Sequence, residues 1–392
     1  MLSNRIPYPL NDGGAICIYN ALKGYADANA DLYWLSMNTT KHFVDLSATG
    51  NIFDKMTQRR TVLVDNKIRP LDALSNLFSG QSYVVSRFNS KEYERELIQI
   101  LRAREFDVVH FDSLSTCPYI DTVRRYSKAK IVYRAHNVEY KLWERAAAED
   151  SNPLKGFYIG IQAKRLFKFE TEVYKKVDSV LAISTEDQQF IKEVAPIAKV
   201  YVFPAGMNID ESRPVTLPSA FSLFFIGALD WLPNLQGLDW FIQDIWPSIK
   251  ARFPQLKFHI AGKKMPAKFY EYASMNIVAH GEVPSAADFM DQHSVLLSPL
   301  VSGSGVRIKI IEAMALGKVV LTTTVSAEGS GAIDGKHILI ADNKEQFISQ
   351  IEKLLDAPEL LHQLSLNARN FAIENFQNKR VMAKLLEYYR NL

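Results

Sequence analysis

Cysteine is scarce in this chain of 392 residues: only Cys17 and Cys117 occur, far apart and without metal-ligand spacing. That usage argues against a disulfide framework and fits a reducing compartment. Neither sign of charge is in surplus. With 46 Lys and Arg against 43 Asp and Glu, the net charge is only +3. A nucleic-acid binder usually shows a strong basic excess or stripe, so no nucleic-acid partner is expected. Long apolar runs are missing as well. The longest, around Phe221–Leu229, falls far short of the roughly 20 residues that a membrane-spanning helix needs. No basic–apolar–small-residue leader opens the chain. No Gly-x-Gly-x-x-Gly follows a strand, which argues against a dinucleotide-dependent oxidoreductase. No cluster of His, Cys or paired Asp stands out as a metal site. Solenoid repeats and low-complexity tracts are absent too. What remains is the expectation of a cytoplasmic globular protein, with hydrophobic and charged contents of 47% and 23% in the ordinary range.

At this length one core is not enough, and two domains are expected. The first half alternates buried-type strands with amphipathic stretches. Phe106–Phe111, Ala129–Ala135 and Ser179–Ile183 read as strands, and Tyr119–Ser127 and Leu154–Lys176 as helices. Met1 and Leu2 alone precede Ser3-Asn4-Arg5, so a first strand is either very short or the sequence starts late. The second half begins anew after Val202–Asp210 and a Pro-containing linker. Its strands read as Ser222–Ile226, Leu256–Ala261, Asn276–Ala279, Val295–Pro299, Val319–Thr323 and His337–Ala341. Helices are expected over Leu235–Phe253, Val306–Leu316 and most of the chain from Lys344. Such alternation predicts an α/β protein of two doubly wound parallel-sheet domains, Rossmann-like in type. Two such units imply a cleft, with ligands expected beyond the carboxyl ends of the strands. The expected division is 1–205, 206–374 and a C-terminal helix, 375–392, crossing back to the first domain.

The strongest site signal is SGSGVRIKIIEAMALGK, Ser302–Lys318. Gly303, Ser304 and Gly305 form a small loop opening a helix whose apolar face is Ile308, Ile311, Met314 and Ala315; Gly317 supplies its stop. Backbone N–H groups at such a start, together with the dipole, favour an anion. The dipole contributes only about 0.3–1 kcal/mol, up to ~2 in favourable sites, so cationic side chains are expected beside a diphosphate. Arg307 and Lys309 are suitably placed, although cations there oppose the dipole unless an anion is bound. One turn on, Glu312 can accept two hydrogen bonds from a vicinal diol such as ribose.

This segment resembles the donor-binding stretch of glycosyltransferases of the GT-B fold, specifically the large retaining group called glycosyltransferase family 4, or group 1. In that family a Glu, seven residues and a second Glu bracket the loop and helix. Glu312 matches the second, which implies ribose binding. The first falls on Ser304, a departure that leaves Ser304 and neighbouring amides to hold the sugar hydroxyls. The resemblance continues through Thr322–Thr324 and Ala327-Glu328-Gly329, and adds Glu328 to the donor contacts.

Further donor contacts follow from the same resemblance. Gly227 closes a strand and precedes Asp230 and Asn234, which either cap the next helix or face the donor. Lys263 and Lys264 follow another strand and are either solvated or ligand-bound. Gly281-Glu282-Val283 matches the turn whose backbone, at Gly281 and Val283, recognises a nucleobase edge. Gly13 and Gly14, in Pro9–Ala15, look like the family's Gly-rich first loop, where close approach to phosphate and sugar needs glycine.

After the strand KIVYRA, His136 matches a family His that contacts the donor sugar near its reacting carbon. Its implied role is positioning and charge stabilisation as the sugar becomes oxocarbenium-like. Glu139 is either an acceptor ligand or base, or a helix-start charge. Asp112 is a weaker acceptor candidate.

The resemblance implies transfer from a UDP- or GDP-sugar to a glycan or lipid-linked acceptor, with retention and without metal. The nucleotide-sugar is then a substrate, and no cofactor is implied. Lys164, Arg165, Lys168, Lys175 and Lys176 among Phe and Tyr suggest a basic helix docked peripherally on the cytoplasmic face of a membrane. Glu170 and Glu172 dilute it, and a solvated crossover helix is the simpler alternative. The rivals are a sugar-nucleotide epimerase of the same architecture and an inactive nucleotide-sugar- or glycan-binding subunit.

Overall fold

The structure, a computed structural model, describes all residues except 11, 55–57, 150, 151, 219 and 304. The chain divides into two compact units. Unit 1 comprises Met1–Gly206 with Asn378–Leu392, and unit 2 is Met207–Gln377.

Unit 1 is built on a parallel sheet of seven strands. In chain order they are β1 Leu2–Ser3, β2 Tyr33–Thr39, β3 Gln58–Val64, β4 Val108–Phe111, β5 Lys130–Ala135, β6 Ser179–Ala182 and β7 Val200–Val202. Their order across the sheet is β3-β2-β1-β4-β5-β6-β7. β6 is buried at every residue, and β5 at all but Lys130, the pattern of strands covered by helices on both faces. Short as it is, β1 pairs on both sides, Leu2 lying opposite Leu35 and Phe111. The neighbouring backbone is satisfied because Asp112 N–H donates to the Leu2 carbonyl at 2.8 Å. The last helix, Asn378–Arg390, packs on the helix Gly13–Asp27. A Cβ added at Gly24 would lie 2.2 Å from Met382 Cγ and force that side chain to shift. Tyr388 stacks on Tyr201 with ring centroids 4.3 Å apart.

Unit 2 has six parallel strands: β8 Leu223–Ile226, β9 Phe258–Ala261, β10 Ile277–Gly281, β11 Val295–Ser298, β12 Val319–Thr322 and β13 Leu339–Ile340. Their order is β10-β9-β8-β11-β12-β13. Leu223, Phe224 and Phe225 of β8 are fully buried, each worth about 1.5–3 kcal/mol over exposure. Both sheets thus have a point where strand order reverses, β1/β4 in unit 1 and β8/β11 in unit 2, where open α/β sheets gather ligands. Among the described residues no helix is long and apolar enough to cross a membrane.

Local differences from the sequence reading have physical causes. The paired glycines do not form a loop. The helix starts at Gly13, because Asp12 caps it by accepting from Ala15 N–H at 2.9 Å. The stretch expected as one helix from Leu235 breaks into Leu232–Trp240, a π turn over Phe241–Ile245 and Trp246–Arg252. Pro247 brings no N–H to the ladder, and Trp246 N–H reaches back to the Phe241 carbonyl instead. The helix expected from Val306 runs over Ile308–Ala315, with Arg307 at its N-cap.

Candidate active site

In unit 2, the loop after β11 and the loop after β8 meet. Gly303 and Gly305 both have positive φ, 106° and 81°, a conformation that L side chains rarely adopt. A Cβ at Gly303 would fall 2.8 Å from Arg307 Nη2. Arg307 is buried, lies over the Trp231 ring at 5.4 Å and donates to the Gly305 carbonyl at 3.1 Å. Ser304 lies outside the described residues.

Lys309 is half-buried, its ammonium 4.1 Å from the Phe225 ring centroid and 2.9 Å from Asn234 Oδ1. Burial, and then repulsion from Arg307, pull its pKa well below the usual lysine value. Asn234 also donates to the Ala228 carbonyl at 2.8 Å. It therefore does not cap the next helix, whose N-cap is Trp231, but ties the β8 loop to the cation. Asp230 points its charge to Lys264 at 3.0 Å, an exposed pair. Gly227 directly follows β8, and a Cβ there would crowd Asn234 Nδ2 at 2.9 Å.

Glu312 lies further along the same helix and lines a pocket of about 230 Å³ with Asn208, Arg213, Ala286 and Met290. Burial pushes its pKa up to about 7. The pocket residues Ala286 and Met290 belong to the helix that follows β10, so the turn with Gly281 (φ 70°) and Val283 leads into this wall. Glu328 follows the short helix Thr324–Ala327 and is half-buried.

In unit 1, a pocket of about 330 Å³ brings together Gly14, His136 and Glu139 with Arg5, Lys41 and Arg87. Gly13 does not line it. A Cβ on Gly14 would lie 2.6 Å from Arg5 Nη2, so the glycine makes room for a side chain that no motif announced. Arg5 in turn forms an ion pair with Asp12.

His136 stands where β5 ends, and its Nε2 donates to the Asp112 carbonyl at 3.2 Å. The Asp112 carboxylate lies 3.3 Å from the same nitrogen. Burial alone would lower the His136 pKa, but Asp112 overrides it and pushes it up to about 9. The expectation that Asp112 touches an acceptor does not match its placement. Its side chain has no exposed surface and is shared by His136, His110 at 3.2 Å and Arg134 at 3.4 Å. Burial tends to raise its pKa, yet these partners hold it well below the usual carboxylate range. Its contacts fix the His136 ring from inside the protein.

Glu139 begins the helix Glu139–Glu149. Burial raises its pKa, with Asn137 and His136 opposing. The helix start is fixed from elsewhere: Glu170 accepts from the N–H groups of Glu139 and Tyr140, at 3.1 and 2.9 Å, and from Tyr174 Oη at 2.8 Å. Nothing in the sequence marked Glu170, Arg5 or Asp112 for these tasks, because each partner lies on a different element.

Comparison with known proteins follows the same division. Residues 81–211 match the family described as Glycosyltransferase Family 4, and residues 220–357 that described as Glycosyl transferases group 1. A 44.6 kDa protein of Klebsiella pneumoniae, described as uncharacterized and in the cps region, is 21% identical over 99% of this chain and 98% of its own. Among solved structures, a sucrose-phosphate synthase from Thermosynechococcus elongatus superposes with a TM-score of 0.71 at 16% identity, covering 100% of this chain and 98% of that one. Anabaena HepE, solved with UDP-glucose, gives 0.66 at 12%, covering 100% and 99%. Identities this low establish a shared fold.

Proposed function

Since the chain belongs to the group 1 glycosyltransferases and has their GT-B fold, we propose that it moves a sugar from a nucleoside diphosphate to a glycan or lipid-linked acceptor. The observation that carries the donor reading is Lys309. An ammonium half-removed from water, with Arg307 as its charged neighbour, is unfavourable until an anion arrives. A diphosphate supplies that anion, and Glu312 accepts the ribose hydroxyls in the adjoining pocket. A UDP-sugar is the favoured donor, supported by the HepE complex with UDP-glucose.

His136 is proposed to face the sugar as a cation or hydrogen-bond donor, stabilising the departing charge. Arg307, Lys309 and the helix amides take the place a metal ion holds in other transferases, and retention is the expected stereochemistry. An acceptor with negative charge suits the unit 1 pocket, where Arg5, Lys41 and Arg87 outnumber Glu139. A phosphate-linked lipid has that charge. Peripheral contact with a membrane, on its cytoplasmic side, is supported by the exposed Leu154, Phe157 and Phe78 at 83%, 72% and 90%. Arg165, on the helix that carries Leu154 and Phe157, donates to the Asn76 and Leu77 carbonyls just before Phe78. No observation favours the epimerase or the inactive subunit.

The test is the unfolding temperature with UDP, GDP and their sugar conjugates, with and without magnesium. A magnesium-independent rise with UDP compounds is expected, since a ligand for the folded state stabilises by mass action. No rise with any nucleotide overturns the donor site. Product anomers read by NMR then decide retention.

A further inference from the structure

Unit 2 holds a second cluster of chemistry-bearing side chains, outside the loops just described. His259 on β9, His280 on β10 and His293 just before β11 converge on one side of the sheet. One ring nitrogen from each lies within 4.8 Å of the others. His259 Nδ1 and His280 Nε2 are 3.0 Å apart, and the His259 and His293 rings overlap with centroids 4.2 Å apart. We propose that these three histidines bind a divalent transition-metal ion of the zinc type.

The hydrogen-bond ledger of the cluster supports a ligand. His293 is 5% exposed, and its Nδ1 is engaged by Ser222 Oγ at 3.2 Å. Its Nε2 is buried with no hydrogen-bond partner among the described residues, an uncommon state for a polar atom. Metal-bound imidazoles characteristically use one nitrogen for the ion and the other for a fixing partner, and Ser222 is such a partner.

Donor chemistry sets the class of ion. Three imidazoles suit zinc, nickel or copper rather than magnesium or calcium, which need oxygen. Tetrahedral zinc with nitrogen at 2.0–2.1 Å spaces its ligand atoms about 3.4 Å apart, so small ring rotations complete the geometry. The fourth position falls to water. The cluster grades from exposed His280 through half-buried His259 to buried His293, giving the ion a path inward. Bound there, the ion would tie the sheet edge β9–β10 to the segment leading into β11. None of these residues belongs to the proposed donor site, so the metal test and the transfer test fail independently.

The experiment is calorimetric titration of the full chain, free of any affinity tag and stripped with EDTA, with zinc chloride and separately with magnesium chloride. One zinc per chain at micromolar affinity or better is expected, with no magnesium binding and a raised unfolding temperature. His280→Ala, at an exposed position, should leave the EDTA melting curve unchanged and weaken zinc by about tenfold or more, the size of effect found even for outer-shell partners. His259→Gln is the second variant, read the same way. Zinc affinity that is absent in the wild type, or equal in wild type and both variants, overturns the site.

Discussion

Asp112 holds His136 from beneath: its carboxylate lies 3.3 Å and its carbonyl 3.2 Å from the same ring nitrogen. The histidine titrates near pH 9, so it is a cation at neutral pH. Its stabilising effect is fully present below the unfolded value of about 6.5 and is lost as pH rises through 9. Asp112 acts in the opposite direction. Its contribution is present above the unfolded value of about 3.9 and fades as pH falls. Asp112→Asn should therefore move the alkaline limb of transfer activity downward and lower kcat more than the donor KM. It should cost about 3–5 kcal/mol in urea unfolding, as breaking a buried pair does. NMR titration of His136 in the variant is the direct check. An unmoved value near 9 means that Asp112 does not govern it.

Glu170 has the opposite linkage. Burial first, and then Glu139, raise its pKa to about 8, against the ordinary glutamate value of about 4.3. Between these limits the unfolded chain ionises while the folded chain resists, so this group costs stability as pH rises. Glu170→Gln removes an acceptor from the N–H groups of Glu139 and Tyr140 and should destabilise by about 1–3 kcal/mol at pH 5. The deficit should shrink toward pH 8, because the wild type alone bears the ionisation cost. Urea titrations at both pH values measure it. A gap that is constant with pH means Glu170 is not the titrating group.

The sequence exposed what is local and left hidden what is paired at a distance. β6, β8 and β11 were readable because every residue is apolar or small and all are buried. β2 was not: Ser36, Asn38 and Thr39 are buried in YWLSMNT and break any apolar run. β3 mixes exposed and buried residues along QRRTVLV as an edge strand does. Arg307, Lys309 and Glu312 could be grouped as candidates because they lie at the N-cap and along one short helix. The partner of Lys309 sits 75 residues away, and that of His136 on a neighbouring strand. Strand order brings those pairs together, and a linear pattern does not report strand order. The three histidines of unit 2 were missed for the same reason.

Asn234 and Lys309 form the link between the β8 loop and the helix after β11. Lys309→Met keeps the stem against Phe225 and removes the charge. Losing one charge-assisted contact costs about 1.5–3 kcal/mol, so UDP affinity should fall about ten- to a hundredfold while the ligand-free melting temperature holds or rises. Asn234→Ala should weaken UDP less, because the ammonium remains. Equal affinity in Lys309→Met and the wild type removes Lys309 from the donor site.

The donor role proposed for Glu312 carries its own pH dependence. Its pKa stands near 7 because burial disfavours the carboxylate, yet accepting both hydroxyls of a ribose requires that ionised form. Binding near neutrality must then release a proton, and UDP affinity should strengthen from pH 6 to pH 8. The phosphate of UDP also sheds protons in this range, so the comparison must be made with Glu312→Gln rather than with theory. That variant should bind more weakly at pH 8 and lose the part of the slope that belongs to the side chain. Calorimetry in two buffers of different ionisation enthalpy counts the protons directly. Equal proton release by wild type and Glu312→Gln would show that this carboxylate does not meet the ribose.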